Sequence, residues 1–119
     1  HLIIGRSGAS TVAEALVVGR PSIMVPYKYA IDDHQTKNAH AVDEAGAGWL
    51  MAEKSFTFES LSNRLENLLS ISNTLIKAAA RAKASGRPDA TKRLADIIEE
   101  LMTQSGSNDN KLKNGRSVV

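Results

Sequence analysis

The chain has 119 residues, of which 42% are hydrophobic and 24% are charged, and this composition predicts one soluble domain with a single core. A net charge of +2 and an aromatic content of 4% argue against a nucleic-acid partner, and the absence of cysteine excludes disulfides and thiolate metal sites. No stretch approaches the roughly 20 apolar residues of a membrane span, so we expect any membrane contact to be peripheral.

The first part of the chain alternates short apolar runs with segments of helical periodicity. The apolar runs predict buried strands at residues 2–5, 22–26 and 48–52, and the helices between them are expected to end near Gly19 and Gly46. This alternation is typical of βαβ units, so the sequence predicts the α/β class with a parallel sheet. Because the first residues resemble the middle of a strand and no methionine precedes them, we also expect a fragment that begins inside a domain.

The second part of the chain predicts helices only. Leucine spacing after Thr57 and an apolar stripe from Leu75 predict two amphipathic helices, and a break at residues 85–89 precedes a last helix with Asp89 as its cap. The apolar face of that last helix consists of Leu94, Ile97, Ile98 and Leu101. Residues 103–119 lack periodicity and predict a disordered tail, so we divide the chain into a domain of residues 1–102 and a tail of residues 103–119.

Two groups of large side chains have a simple structural interpretation. The aromatic residues near the third strand are interpreted as core or sheet-edge residues, namely Trp49, Phe56 and Phe58. The basic residues of the later helices are interpreted as solvated faces that could add a weak attraction to anionic lipid, namely Lys77, Arg81, Lys83, Arg87, Lys92 and Arg93.

A turn of small residues, Ser7-Gly8-Ala9, directly follows the first predicted strand. A helix that begins at the carboxyl end of a parallel strand presents unpaired N–H groups and a partial positive charge, so such a turn can bind phosphate. The same stretch allows a capping box, with Thr11 as the N-cap and Glu14 returning to its N–H group. If the helix begins earlier, Glu14 lies too far along it to cap, and its carboxylate can accept hydrogen bonds from ribose hydroxyls. The local pattern leaves both interpretations open.

A second polar cluster, at residues 32–38, follows the second predicted strand. Because ligands of open α/β sheets bind at the carboxyl ends of the strands, we expect the two polar turns to face one pocket. One turn would bind phosphate and the other a polyhydroxyl group. A sugar nucleotide suits both.

The second cluster allows other interpretations as well. Asp32 or Asp33 can be a helix cap, and a solvated helix face can account for Lys37, Asp43 and Glu44. A general-base role of His34 has no nucleophile or orienting partner to support it. A metal site would have to use a set whose spacing matches no known ligand pattern, namely Asp32, Asp33, His34 and His40.

Five motifs occur in order along residues 2–102: Ser7-Gly8-Ala9-x-Thr11-x-x-Glu14, Pro21 to Pro26, Asp33-His34-Gln35-x-x-Asn38-Ala39, Ala45-Gly46-Ala47-Gly48 and Pro88-Asp89-Ala90-Thr91. Together they resemble the C-terminal part of the MurG family, the lipid II-forming N-acetylglucosaminyltransferases of bacterial cell-wall synthesis. Several spaced motifs in register are far more specific than any one of them alone.

The resemblance implies a GT-B type glycosyltransferase with two Rossmann-like domains, of which this chain carries the later half of the UDP-sugar-binding domain, followed by C-terminal helices. It implies inverting transfer of N-acetylglucosamine from UDP-N-acetylglucosamine to lipid I, the undecaprenyl-pyrophosphoryl-muramyl-pentapeptide, in peptidoglycan synthesis. The enzyme would be peripheral, at the cytoplasmic face of the bacterial inner membrane. No cofactor is implied, and a divalent cation such as Mg²⁺ stays open.

The resemblance also implies where the substrate binds. The diphosphate would lie at the turn from Ser7 to Thr11, the ribose hydroxyls at Glu14, and the transferred sugar at His34 and Gln35. Some members of the family carry Gln-Gln at the last pair, so Gln35 matches the family better than His34 does. The implied UDP-N-acetylglucosamine-binding residues are Ser7, Gly8, Ala9, Ser10, Thr11, Glu14, His34, Gln35 and Asn38.

No catalytic residue is implied in this chain. The acceptor domain, the general base and the uracil-binding segment are expected to precede His1, so the chain alone is expected not to catalyse and to expose apolar surface and an unpaired strand edge.

Two alternatives stay open. Related folds place a similar turn and glutamate at a nucleotide, so the chain could come from another UDP-sugar glycosyltransferase or from a UDP-N-acetylglucosamine 2-epimerase. It could also be a non-catalytic module that binds a nucleotide sugar or only a protein partner. The motif Gln35-x-x-Asn38-Ala39 and the segment Pro88-Asp89-Ala90 argue against the first of these alternatives, whether another glycosyltransferase or the epimerase.

Overall fold

The computed structural model describes residues 1–27 and 33–114, with side chains described as far as residue 104. Residues 28–32, which include the candidate cap Asp32, and residues 115–119 of the predicted tail lie outside the described residues. The chain divides into two compact units, His1–Arg87 and Pro88–Val119.

The first unit alternates strands and helices and then continues with two helices. Its elements are β1 Ile3–Gly5, α1 Ala9–Val17, β2 Ser22–Met24, α2 His34–Glu44, β3 Gly48–Leu50, a 3-10 turn Glu53–Ser55, α3 Phe58–Ser70 and α4 Ser72–Ser85. The strands form a parallel sheet in the order β1-β2-β3, which confirms the predicted α/β class. The sequence did not predict the 3-10 turn. Within the described ranges β1 has a neighbouring strand on one side only.

β2 and β3 end two residues before the predicted limits, whereas β1 ends at Gly5 as predicted and begins one residue later. β2 ends at Met24, although the next amide, of Val25, still donates to the Gly5 oxygen at 2.8 Å. Pro26 has no N–H group and cannot continue the ladder. The residues directly after the strands are therefore loop residues at the carboxyl edge of the sheet.

Two glycines end the helices that cross between the strands, as predicted. Gly19 and Gly46 have φ angles of 66° and 69°, a left-handed conformation that strongly favours glycine. After α1 the Gly19 amide donates to the Leu16 oxygen and the Arg20 amide to the Ala15 oxygen, which is the Schellman arrangement. The corresponding bonds follow α2, so both helices end by the same geometry.

The core has two apolar clusters on opposite faces of the sheet. Consecutive side chains of a strand point to opposite faces, and Met24 belongs to one cluster whereas Ile23 and Val25 belong to the other. The cluster around Met24 also contains buried residues of α1, α2 and α4, and the cluster around Ile23 includes Leu68 of α3. Trp49 packs against the second cluster, as its interpretation required.

The interpretation of Phe58 as a core or sheet-edge residue is wrong, because its side chain is 90% exposed. Phe56 is 40% exposed and does not belong to either buried cluster. Phe58 is the first residue of α3, after a capping box between Thr57 and Ser60. Helical side chains tilt towards the N-terminus, so a side chain at the first position projects past the end of the helix and misses the stripe that packs on the sheet.

The second unit contains helix α5, Ala90–Asn114. Its apolar residues Leu94, Ile97, Ile98 and Leu101 are all about half exposed or more. The helix continues past residue 102, where the sequence predicted a disordered tail, and so residues 103–114 differ from that expectation. Extending an existing helix is far easier than starting one, which lets a segment without apolar periodicity continue it.

The basic residues named above, from Lys77 to Arg93, are all exposed, which confirms that they form solvated faces. No helix in the described part of the chain combines the length and the apolar character needed to cross a membrane.

Candidate functional site

The two polar turns lie together at the carboxyl edge of the sheet, as the sequence predicted. Ser7, which is fully buried, donates from Oγ to the backbone oxygen of Gln35 at 2.6 Å. Asn38 donates from Nδ2 to the backbone oxygen of Ser7 at 3.0 Å. Two hydrogen bonds in opposite directions therefore join the turn after β1 to the first turns of α2.

The N-terminus of α1 has no side-chain cap within the described part of the chain. Its N-cap is Gly8, which has no side chain to donate or accept. The first hydrogen bond within the helix runs from the Val12 amide to the Gly8 oxygen at 3.0 Å, so the amides of Ala9, Ser10 and Thr11 have no helical partner. Unpaired amides with the positive end of the helix dipole form an anion-binding site.

Gly8 is a glycine that neither the backbone nor the packing requires. Its φ and ψ of −62° and 153° are accessible to any residue, and a Cβ atom at this position would meet no atom of the described residues within 4 Å. The described residues therefore leave space beside Gly8, through which a group could approach the amides.

The capping-box interpretation of Glu14 is wrong. α1 begins at Ala9, which puts Thr11 in the first turn of the helix and Glu14 well beyond it. Glu14 follows Ser10 and Thr11 by one helical turn, so all three occupy one face, and all three are exposed. Because helical side chains lean towards the N-terminus, the Glu14 carboxylate lies on the side of the helix that leads to the open amides.

The side chains at the start of α2 are partly engaged within the protein. Asp33 occupies the N-cap position of α2 but makes no capping bond. Gln35 accepts a hydrogen bond at Oε1 from the Tyr27 amide at 2.8 Å, which leaves its amide nitrogen as the group that can donate to a ligand. His34 is exposed, whereas Asn38 is held by its bond to Ser7.

Arg6 belongs to the same region, and the sequence reasoning missed it. Its Nη1 donates to the backbone oxygens of Val25 and Pro26 at 3.3 and 3.4 Å, and its Nη2 forms an ion pair with Glu53 at 2.7 Å. The guanidinium also lies over the Tyr27 ring, 5.3 Å from its centroid. A cation directly after a buried strand, at the edge where ligands bind, was the signal that could have identified it.

The candidate metal set is not brought together in the structure as far as it is described. The described residues contain no group of three or more histidine, aspartate or glutamate side chains that could hold a metal ion. Asp32, a member of the candidate set, lies outside them.

The parallel β1-β2-β3 sheet, with a helix crossing between each pair of successive strands, is the arrangement of a Rossmann-like fold. The comparison with protein families is more specific. The model of the glycosyltransferase family 28 C-terminal domain matches residues 1–101, and the chain belongs to this family.

Individual relatives agree with this assignment. The Rhodospirillum centenum and Paramagnetospirillum magneticum proteins named UDP-N-acetylglucosamine–N-acetylmuramyl-(pentapeptide) pyrophosphoryl-undecaprenol N-acetylglucosamine transferase are 58% and 50% identical to the chain over 98 and 108 residues. These matches cover 82% and 90% of the chain but 26% and 29% of the relatives. The chain therefore spans less than a third of the length of these relatives.

A solved structure shows the same likeness. The crystal structure of Acinetobacter baumannii MurG matches with a TM-score of 0.74 and 36% identity, over 83% of this chain and 30% of that one. The resemblance to MurG and the GT-B type Rossmann-like fold are thus confirmed.

Proposed function

We propose that the chain is the donor-binding part of an inverting N-acetylglucosaminyltransferase. The complete enzyme would transfer N-acetylglucosamine from UDP-N-acetylglucosamine to lipid I and form lipid II. Support comes from the family membership and from relatives whose names describe this transfer. The observation that carries the proposal is the open N-terminus of α1, joined through Ser7 to the polar start of α2.

The diphosphate of the donor would bind at the amides of Ala9, Ser10 and Thr11. Their unpaired N–H groups and the helix dipole favour a dianionic group, and the empty space at Gly8 lets it approach. The same groups would stabilise the charge that develops on the departing UDP when the bond to the sugar breaks.

The ribose would bind at Glu14. A carboxylate on the exposed face of the helix, one turn beyond the diphosphate site, can accept hydrogen bonds from two neighbouring hydroxyls. The transferred sugar would lie at the start of α2, where the amide nitrogen of Gln35 can donate to a hydroxyl and His34 is exposed beside it. Ser7 and Asn38 would support the site by holding the two turns together.

The acceptor and its general base would belong to the portion of the transferase that corresponds to the unmatched length of the relatives. An inverting transfer needs a base at the acceptor hydroxyl and stabilisation of the leaving group, and the residues described above offer only the second. We therefore expect the chain by itself to bind the donor without transferring the sugar. Peripheral association with the cytoplasmic face of the inner membrane is part of the proposal, with the basic helix faces adding a weak attraction to anionic lipid.

The first test is titration of the isotope-labelled chain by NMR with UDP-N-acetylglucosamine, UDP and, as a control, free N-acetylglucosamine. We expect amide shifts at Gly8 to Thr11 with both nucleotides and additional shifts at Gln35 with the nucleotide sugar only. A Gly8→Val variant, whose side chain would occupy the empty space, should lose the shifts at the helix N-terminus. Absence of any response to either nucleotide would contradict the proposal.

The second test separates an enzyme part from a binding module. The segment of the Rhodospirillum centenum transferase that matches this chain is replaced by the chain, and transfer to a lipid I analogue is measured. We expect an active hybrid whose activity falls on Glu14→Ala. A hybrid that binds UDP-N-acetylglucosamine but transfers no sugar would favour the non-catalytic alternative.

A further inference from the structure

The guanidinium of Arg6 connects the carboxyl ends of all three strands. It follows β1 directly, donates to the oxygens of Val25 and Pro26 after β2, and pairs with Glu53, in the 3-10 turn after β3, at 2.7 Å. The guanidinium carbon also lies over the Tyr27 ring, 5.3 Å from its centroid. Both arms of the fork are therefore engaged by the protein, and the charge lies within cation–π distance of the ring.

From Arg6 the contacts continue to the start of α2 and return. The Tyr27 amide donates to Gln35 Oε1 at 2.8 Å, and the Gln35 backbone oxygen accepts from Ser7 Oγ at 2.6 Å. Ser7 is the next residue after Arg6 in the chain. Arg6, Tyr27, Gln35 and Ser7 thus form a closed ring of contacts that holds Gln35 at both its backbone and its side chain.

The contacts of Arg6 favour one of two roles for its charge. A guanidinium that binds phosphate directs its fork at the phosphate oxygens. The fork of Arg6 is instead directed at two carbonyl oxygens and a carboxylate of the protein. Its planar shape also matters, because a lysine could supply the charge but not the two-armed donation.

We propose that Arg6 is a positioning residue that orients the Gln35 amide towards the transferred sugar, and so makes the site prefer UDP-N-acetylglucosamine to UDP. Through Tyr27 it holds Gln35 Oε1, which leaves the Gln35 amide nitrogen as the donor to a sugar hydroxyl. The inference rests on the proposed donor-binding function, and the tests below separate the two.

The first test uses the chain without ligand. Amide hydrogen exchange is measured by NMR in the wild type, Arg6→Met, Arg6→Lys and the control Arg20→Lys, an exposed arginine of the same unit. In both Arg6 variants the Tyr27 amide should exchange about threefold faster or more, since its acceptor is no longer held in place. The Val25 amide, which bonds to Gly5 in the ladder, should be unchanged and shows that the variants are folded. Unchanged exchange at Tyr27 in both variants would overturn the inference.

The second test measures the affinities for UDP and UDP-N-acetylglucosamine by the same titration as above. Arg6→Lys should lower the affinity for UDP-N-acetylglucosamine by about fivefold or more and that for UDP by no more than about twofold. Equal losses for both ligands would mean that the charge acts on the diphosphate, and would overturn the inference while leaving the proposed function intact. A lower melting temperature with an unchanged ratio of affinities would show a merely structural role and also overturn it.

If the wild type binds neither nucleotide, the proposed function fails. The exchange experiment would then decide by itself whether Arg6 holds Tyr27 and Gln35, and the preference for the nucleotide sugar would be disproved.

Discussion

The hydroxyl of Ser7 donates a 2.6 Å hydrogen bond to the backbone oxygen of Gln35, across 28 positions of the chain. This bond joins the turn that follows β1 to the helix that follows β2. It makes one site from two polar stretches that the sequence presents separately, and its donor is fully buried.

Ser7→Ala should lower both the stability of the fold and the affinity of the site for the nucleotide sugar. The variant loses a buried hydrogen bond to the backbone, and we expect the free energy of unfolding to fall by about 1 kcal/mol in urea denaturation. The affinity for UDP-N-acetylglucosamine should fall as well, because α2 is no longer held against the turn. Ser10→Ala is the matched control: Ser10 is exposed, and its replacement should change stability by less than about 0.5 kcal/mol. Equal stability of the two variants would contradict the role of the Ser7 bond.

Glu14→Ala should reduce nucleotide binding with little effect on stability. Glu14 lies inside α1 and caps nothing, so we expect a change in unfolding free energy of less than about 0.5 kcal/mol. Affinity for UDP should fall about tenfold, because the ribose hydroxyls lose a charged acceptor. The wild type should discriminate against a UDP analogue that lacks both ribose hydroxyls, and the variant should not. Glu44→Ala, at the far end of α2, serves as the control and should keep that discrimination.

Gly8→Ala should separate binding from folding. Alanine is a poorer N-cap than glycine, which lowers stability slightly, but it also makes the unfolded chain less flexible, which raises stability slightly. Because the two effects oppose each other, the free energy of unfolding should change by less than about 1 kcal/mol. Nucleotide affinity should fall, because the methyl group occupies the approach to the amides of α1.

Gly48→Ala is the control for Gly8→Ala, because here the added methyl group should lower the stability of the fold. A Cβ atom at position 48 would collide with the backbone oxygen of Ser22 and with a Val42 methyl group. We expect a loss of about 1–3 kcal/mol in unfolding free energy. If Gly8→Ala destabilises as much as Gly48→Ala, Gly8 has a structural role and the argument for open space at the helix N-terminus fails.

Phe58→Ala and Leu68→Ala should lower the free energy of unfolding by very different amounts, although both residues belong to α3. Leu68 is 5% exposed and packs between the helix and the sheet, so its truncation should cost about 2–5 kcal/mol. Phe58 is 90% exposed, so its truncation should lower the free energy of unfolding by less than about 0.5 kcal/mol. Thermal unfolding of the two variants under the same conditions measures the difference. A large loss for Phe58→Ala would mean that this side chain is covered in solution.

Much of the first unit could be predicted from local pattern. Gly19 and Gly46 mark the helix ends because their left-handed φ angles favour one residue type strongly. The apolar runs mark the strands, but only β2 is buried along its whole length, and the prediction of a buried first strand is wrong because Ile4 in β1 is 42% exposed. Local pattern was insufficient where the position of a residue within its helix, or the continuation of a neighbouring helix, decided the structure. Phe58 has the spacing of a core residue but lies at the first position of its helix, and the segment after residue 102 lacks periodicity but continues a helix.

The sequence by itself determined the alternation of strands and helices, the two polar turns and the motifs that identify the family, since each depends on residues close together in the chain. Only the tertiary structure decided that α1 begins at Ala9, which removes Glu14 from a capping role. It also decided that Ser7 bonds to Gln35 and that Arg6 reaches Glu53, 47 positions away. The physical reason is that parallel strands place their carboxyl ends side by side, so contacts at that edge join residues that no local pattern relates.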